Sequence, residues 1–221
     1  MIIRPMTPED IPGAVELQQA CFPPPFPEEL LWRPEHLARH LELFPEGQFV
    51  AVDIDNAIWG SASSVLISEE NYNAHRNWDT TVGGPLLNAH DPHGTTLYGV
   101  DISVHPEARR QGIARRLYHA RFAVVRELGL RRFATACRIP DFRTWRQEPG
   151  DLAKDLERYI NDVVWDKASD RTLSPLLHIG LKPVCGILDY MEDEESLDCA
   201  VLLKWKPTRP WLGPEVIDGD E

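Results

Sequence analysis

Residues 109–116 read RRQGIARR and stand between TLYGVDISV, whose alternation predicts a strand, and IARRLYHARFAVVRELG, a predicted helix. A strand that hands over to a helix through a short turn leaves the N–H groups of the helix's first turn unpaired, with the positive end of the helix dipole behind them. Such a turn binds anions. Gly112 lets the backbone come close to a ligand and take a conformation that a side chain forbids, and Ala114 is small enough not to block the approach. Arg109, Arg110, Arg115 and Arg116 surround the turn, and each charge-assisted hydrogen bond to a phosphate oxygen contributes about 1.5–3 kcal/mol when shielded from water. The chain has neither the G-x-x-x-x-G-K-[ST] loop nor the three glycines of a dinucleotide fingerprint. An exposed, arginine-rich helix start with an ordinary turn glycine has the same six residues. The flanking order of strand, helix and strand favours the anion site.

The rest of the chain bounds what that anion belongs to. A formal net charge of −12 argues against nucleic acid as a partner, because phosphate-backbone binding needs a broad basic face. No apolar run is long enough to cross a bilayer, and the start MIIRPMTPEDIPG lacks a basic leader with a cleavage site, so a cytoplasmic protein without membrane contact is expected. The cysteines, Cys21, Cys137, Cys185 and Cys199, are far apart and read as reduced, mostly buried thiols. His36 and His40 share a helix face at i, i+4, half of a metal site at most; without a carboxylate–histidine partner motif they read as exposed helix histidines, and no metal is expected.

The positioning elements follow from periodicity. MIIRPM predicts a strand, TPED a helix cap at Thr7 with Asp10 following, and IPGAVELQQACF a helix; PEHLARHLELFPEG predicts a second helix with Leu37, Leu41 and Phe44 on one side. Gln48 to Ile54 and Ala57 to Ile67 predict a β-hairpin around the DIDN turn. The polar stretch Ser68 to Thr96 reads as a long loop, with His90 and His93 explained by turn chemistry around Asp91-Pro92. After the opening strand come a helix with Ile113, Leu117, Ala120, Val124 and Leu128 in register and stopped at Gly129, then RRFATACRI as a buried strand, which together predict a crossover with a parallel pair. PDFRTWRQEPG reads as a loop, DLAKDLERYINDVVWDKA and SPLLHIG as helices, and LKPVCGILDYM with LDCAVLLKW as a last antiparallel pair. One mixed sheet with helices on both faces, an α+β fold, packs these elements most simply. Residues 1–206 are expected to form one domain and 207–221 a proline-rich, acidic C-terminal tail whose Trp211 and Leu212 are able to dock.

VHPEARRQGIARRLYHAR resembles the acyl-coenzyme A binding segment of the GNAT superfamily of N-acyltransferases, whose signature [QR]-x-x-G-x-[GA] is matched by Arg109, Arg110, Gln111, Gly112, Ile113 and Ala114. IRPMTPEDIPGAVELQQACFP is similar to the family's first strand and helix, GQFVAVDIDNAIWGSASS to its hairpin, and LLHIGLKPV to its late helix and strand. Within the superfamily, FPEGQFVAV, GSASS, LYGVDISVHP, RIPDF and ESLDCAVLLKW look like the GNAT domain found fused to carbon–nitrogen hydrolases in some bacterial proteins. The resemblance implies that N–H groups of about Gln111 to Ala114 bind the pyrophosphate of coenzyme A, aided by Arg109, Arg110 and Arg115. It implies too that the strand edge at Ile102, Ser103 and Val104 pairs with the pantetheine amides. The thioester would lie where this strand splays from RRFATACRI, open to direct attack by an amine, with a backbone N–H near Ile102 to Val104 polarising its carbonyl.

An attacking amine must lose a proton, and the family often supplies a carboxylate on this strand for the purpose. Asp101 is the candidate, and a structural ion pair beside the arginine turn is its other reading. Many members protonate the leaving thiolate with a Tyr four residues before the glycine of a G-F motif; this chain has Leu176 there, before Gly180 and Leu181. His178, Tyr159 and Cys137 are replacements by type, with His178 preferred, and a thiolate leaves without an acid because its own pKa is moderate. The expected function is an N-acyltransferase moving an acetyl group from acetyl-CoA to a primary amine, of a small molecule or a peptide. The alternative is a non-catalytic acyl-CoA-binding sensor or interaction module. A homodimer is the expected assembly.

Overall fold

A computed structural model of the chain describes residues 1–24, 28, 31–148 and 150–207. It opens on β1 (Ile2–Pro5) and α1 (Ile11–Cys21), joined by a corner that Asp10 holds. The Arg4 guanidinium donates to both Asp10 carboxylate oxygens at 2.6 and 2.8 Å, and the Thr7 N–H donates to the same carboxylate at 2.8 Å. Then come α2 (Pro34–Leu43) and the hairpin of β2 (Phe49–Val52) and β3 (Ile58–Ile67), shorter on its first arm than the expected Gln48 to Ile54. Asp53 builds the turn: its carboxylate accepts from the N–H groups of Asp55 and Ala57 at 2.9 and 3.0 Å and from the Trp59 indole at 2.7 Å, so the second strand starts only after Ala57.

The stretch Ser68 to Thr96 is not a plain loop. It carries α3 (Glu69–Ala74) and α4 (Trp78–Val82), each started by a side-chain cap: Ser68 Oγ accepts the Asn71 N–H at 3.1 Å and Asn77 Oδ1 the Thr80 N–H at 2.9 Å. Helices of this length show too few turns for apolar periodicity to reveal them. The same holds for α6 (Phe142–Trp145), inside the segment read as a loop. The remaining elements are β4 (Thr96–Val104), α5 (Ile113–Glu127), β5 (Arg132–Arg138), α7 (Leu152–Val164), α8 (Leu173–His178), β6 (Lys182–Ile187) and β7 (Ala200–Trp205).

Seven strands among the described residues make one sheet in the order β1-β2-β3-β4-β5-β7-β6. All neighbours run antiparallel except β4 and β5, the pair joined by α5. Helices cover both faces. On one, α5, α7 and α8 bury Leu117, Phe122, Tyr159 and Leu173 against Phe133 and Leu203; on the other, α1 and α2 bury Ala14 and Leu37 against Val50 and Val52. The four cysteines are free thiols, Cys137 and Cys199 buried and the other two half-buried. No helix among the described residues is long and apolar enough to cross a membrane. The expected tail leaves the described residues from Thr208 on, with Trp211 and Leu212 among those outside them.

His40 corrects an expectation. Read as an exposed helix histidine, it is 1% exposed, with Nε2 2.8 Å from the Pro85 carbonyl and the Trp32 indole edge-on against its ring. No grouping of three or more metal-ligating side chains exists among the described residues. Burial pulls the His40 pKa down to about 4, so the folded state keeps it neutral where the unfolded chain binds a proton. Stability carried by neutral His40 is whole above the unfolded value and is lost as pH falls toward about 4, a difference on the order of 3 kcal/mol. The melting temperature should fall between pH 6.5 and 4, and His40→Gln, which keeps a donor toward Pro85 without a proton to bind, should flatten that slope in thermal scans.

Candidate active site

The site begins where β4 leaves β5. The parallel ladder holds only at Thr96, Leu97 and Tyr98, opposite Arg132, Phe133 and Ala134, and its last tie is the Thr135 hydroxyl donating to the Gly99 carbonyl at 3.0 Å. Beyond that point β5 continues only with β7. On the other side of β4, the register against β3 slips, with Ser64 opposite Gly99 but Ser63 opposite Asp101, so Val100 is an extra residue. A bulge of this kind turns two successive side chains to one face and bends the strand. Val100 accordingly packs with α1 and α2 residues, Trp78 donates its indole N–H to the Val100 carbonyl at 3.3 Å, and Ile102 and Val104 turn back to the α5 side. The bulge therefore does two things: it parts β4 from β5 and swings Asp101 onto the α1 face.

From Ile102 to Val104 the outer edge of β4 has no strand beside it. The Val104 carbonyl on that edge accepts only from side chains, the Cys21 thiol at 3.3 Å and Arg109 Nε at 3.4 Å. The edge runs into the turn, where Arg110 and Gly112 both have positive φ, 62° and 76°. Gly112 is the N-cap of α5 and supplies no side-chain cap, so among the described residues the N–H groups of Gln111, Gly112, Ile113, Ala114 and Arg115 donate to no acceptor. A Cβ on Gly112 would meet no atom within 4 Å, so the turn borders open space there. Arg109, Arg110, Arg115 and Arg116 are exposed and, among the described residues, none has a carboxylate partner; Arg116 donates to the Met1 carbonyl at 3.0 Å. Several arginines elsewhere do hold carboxylates, as with Arg132 on Glu69 at 2.9 Å and Arg138 on Asp193 at 2.7 Å. The predicted turn residues and the Ile102–Val104 edge thus form one continuous surface that can bind an extended, polyanionic molecule.

Asp101 sits at the head of that edge. Ser103 Oγ donates to its carboxylate at 3.3 Å. Burial pushes the Asp101 carboxyl above its ordinary range, while the Arg121 cation and the nearby polar groups of Trp32, Ser103 and Gln18 pull it partly back. A carboxylate so raised is a better proton acceptor near neutral pH than an exposed one. A groove of about 370 Å³ opens beside the end of β4, between α1 and the start of β3, lined by Glu9, Glu16, Trp59 and His105.

His178 makes no hydrogen bond to Asp101 among the described residues. Its ring is exposed at the end of α8, and Nδ1 contacts the Ser174 carbonyl at 2.7 Å. Tyr159 and Cys137, the other replacements by type, are committed elsewhere. The Tyr159 hydroxyl donates to Asp170 at 2.7 Å, that carboxylate also caps α8 through Thr172 and Leu173, and burial raises both the phenol and the Cys137 thiol far above their ordinary values. Leu176 is core.

Four site residues escaped the sequence reading: Gln18, Cys21, Trp32 and Arg121. Gln18 is 4% exposed, accepts the Trp32 backbone N–H at 2.7 Å and lies by the Asp101 carboxyl; the buried Trp32 indole N–H beside them has no hydrogen-bond acceptor. Burial also raises the Cys21 thiol, so it stays protonated. Arg121 carried a readable signal, since it lies four residues from both Leu117 and Val125 and thus on the buried stripe of α5, where Ala120 and the 46% exposed Leu128 had been expected.

Comparison with known proteins agrees with this geometry. The model of the acetyltransferase (GNAT) family matches residues 11–146, from α1 through the turn to α6. The chain is 36% identical over 93% of its length to the uncharacterized N-acetyltransferase YkwB of Bacillus subtilis (strain 168), covering 88% of that protein. It is 34% identical over 93% of its length to the probable hydrolase YhcX of the same organism, of which it spans only 38%. Among solved structures, the GphF GNAT-like decarboxylase in complex with isobutyryl-CoA superposes with a TM-score of 0.75 at 22% identity, over 93% of this chain and 99% of that one, which speaks for the fold alone. A family match that spans both the splayed strand pair and the uncapped turn, joined to close identity along nearly the whole chain, makes this protein an acyltransferase of the acetyltransferase (GNAT) family.

Proposed function

We propose that residues 1–206 form an acyl-CoA-dependent N-acetyltransferase that moves an acetyl group from acetyl-CoA to a primary amine by direct attack. The observation that carries the reading is the β4 edge without a strand partner, leading into an uncapped helix start surrounded by arginines that have no carboxylate partner. Coenzyme A has the matching chemistry in the matching order: amides along an extended arm, then a pyrophosphate. The N-acetyltransferase name of the YkwB relative supports the same assignment, and the isobutyryl-CoA in the GphF structure supports its coenzyme A donor.

In this reading the N–H groups of Gln111 to Ala114 hold the pyrophosphate and Arg109, Arg110 and Arg115 neutralise it, while Ile102, Ser103 and Val104 align the pantetheine arm. The thioester then rests at the splay, beside Asp101. The amine nitrogen attacks the acyl carbon, the C–N bond forms as the C–S bond breaks, and the excess amine proton passes to Asp101. The departing thiolate takes its proton from solvent or from His178. Alignment of the two reactants supplies up to about 7–11 kcal/mol of the barrier. A backbone N–H near Ile102 to Val104 stabilises the charge on the carbonyl oxygen.

Leu176 in the place of the family's tyrosine favours a second reading, a binding module that holds acyl-CoA without turning it over. Thiol release from acetyl-CoA across a panel of primary amines, from polyamines to peptides, separates the two. Turnover with at least one amine class is the expected result; tight cofactor binding with no release above background would leave the module.

A further inference from the structure

We infer that Arg121 is a positioning residue of the transfer site: reaching from α5 into the interrupted β3–β4 ladder, its guanidinium ties the main-chain carbonyls of Ser63 and Asp101 and so fixes the bulge that opens β4 and aims the Asp101 side chain. The inference rests on the proposed roles of the β4 edge and Asp101. Arg121 is 1% exposed, the largest side chain so completely buried among the described residues. Its Nη2 donates to the Ser63 carbonyl at 2.8 Å and also to the Asp101 carbonyl, the pair facing each other across the slipped register. The guanidinium lies 5.3 Å from the Tyr118 ring centroid and 5.6 Å from that of Phe133, whose backbone belongs to the last rungs of the parallel pair. No carboxylate is within ion-pair distance of it among the described residues, and its Nε has no partner at all. A buried cation without a salt bridge is costly, and a hydrocarbon of the same size would fill the space more favourably. What hydrocarbon cannot do is satisfy two carbonyls that a bulge has taken out of the ladder. The same side chain links α5, whose first turn is the anion site, to the carboxylate some distance along β4.

Charge adds a second, separable effect. The groups that act electrostatically on Asp101 are Arg121 and Tyr118 from α5, Cys21 and Gln18 from α1, Trp32 ahead of α2 and Ser103 on β4, with Arg109 beyond Cys21. Arg121 heads those that favour the ionised carboxylate, so its removal must raise the midpoint at which Asp101 titrates.

The test compares native protein with Arg121→Met and Arg121→Lys by carboxyl-carbon NMR titration of Asp101 and by steady-state kinetics. Arg121→Met should move the Asp101 midpoint up and lower kcat by about 100-fold. KM for acetyl-CoA should stay within about 3-fold, because the uncapped turn is untouched. Arg121→Lys should keep the midpoint near the native one and recover only part of kcat, since an ammonium is a point donor and lacks the planar fork. Folded variants with native kcat and native midpoint would overturn the inference. Should neither variant fold, nitrogen NMR of the native guanidinium decides: its protons should resist exchange and shift as coenzyme A saturates the site, and signals that exchange freely or stay unmoved would equally overturn it. A native protein that turns over no amine strikes the proposed function instead, and the Asp101 midpoints in the two variants still test the link to Arg121.

Discussion

Gly112→Val should raise the dissociation constant for acetyl-CoA at least about 100-fold, close to 2.8 kcal/mol, in calorimetric titration. Gly112 holds φ 76° and ψ 9°, a left-handed conformation that costs a β-branched residue about 1–3 kcal/mol. Strain alone would only lower the melting temperature. The larger loss comes from position, because the valine side chain enters the open space bordered by the turn that carries the donors of Gln111 to Ala114, and backbone donors cannot retreat. The other end of α5 offers a matched control. Gly129 has φ 61° and also has nothing within 4 Å of a built Cβ, so Gly129→Val carries comparable strain on the same helix. It should melt lower than the native protein and bind acetyl-CoA as the native protein does. Equal loss of binding in both variants would assign the effect to a weakened α5, and unimpaired binding by Gly112→Val would remove the pyrophosphate from this turn.

That turn was legible in the sequence because its chemistry is backbone chemistry: a glycine, a small residue and arginines at fixed places between a strand and a helix say where unpaired N–H groups lie. The order of strands and the crossover were legible for a similar reason, since they follow from periodicity over long elements. The bulge was not. Nothing in TLYGVDISV marks Val100 as the extra residue, and the reading of that run as plain alternation would put Val100 and Asp101 on opposite faces. The slip depends on β3 across the ladder and on Arg121 arriving from a helix twenty residues on. Arg121 itself drew no reading from the sequence, because charged side chains are seldom buried. His40 was misjudged by the same habit, its burial being decided by Trp32 and by Pro85 in a segment that local pattern read as loop.

Asp101→Asn is the variant in which catalysis and stability should move in opposite directions. Asparagine keeps the size and a hydrogen-bonding oxygen for Ser103 but accepts no proton, so kcat should fall by about 10²–10⁴-fold while acetyl-CoA affinity holds. In the native protein, kcat should decline as pH falls through the Asp101 midpoint, which burial places above the ordinary carboxylate range, and the residual activity of the variant should lack that limb. The sign of the stability effect follows from the same shift. A carboxyl raised in the folded state binds its proton more tightly there than in the unfolded chain, so its contribution is fully present below the unfolded pKa and is lost as pH rises through the folded one. At neutral pH the native protein therefore holds a carboxylate its fold disfavours, and Asp101→Asn should melt at a higher temperature there, with the difference vanishing toward pH 4. Thermal scans from pH 4 to 8 beside amine turnover check both halves. A variant that melts lower at neutral pH would mean that the Asp101 carboxylate stabilises the fold as a partner of Arg121, and retained turnover would put the proton acceptor elsewhere. A rise in stability with loss of turnover would mean that the fold tolerates an unfavourable charge at the one place where β4 opens, because transfer of an acyl group there needs a base.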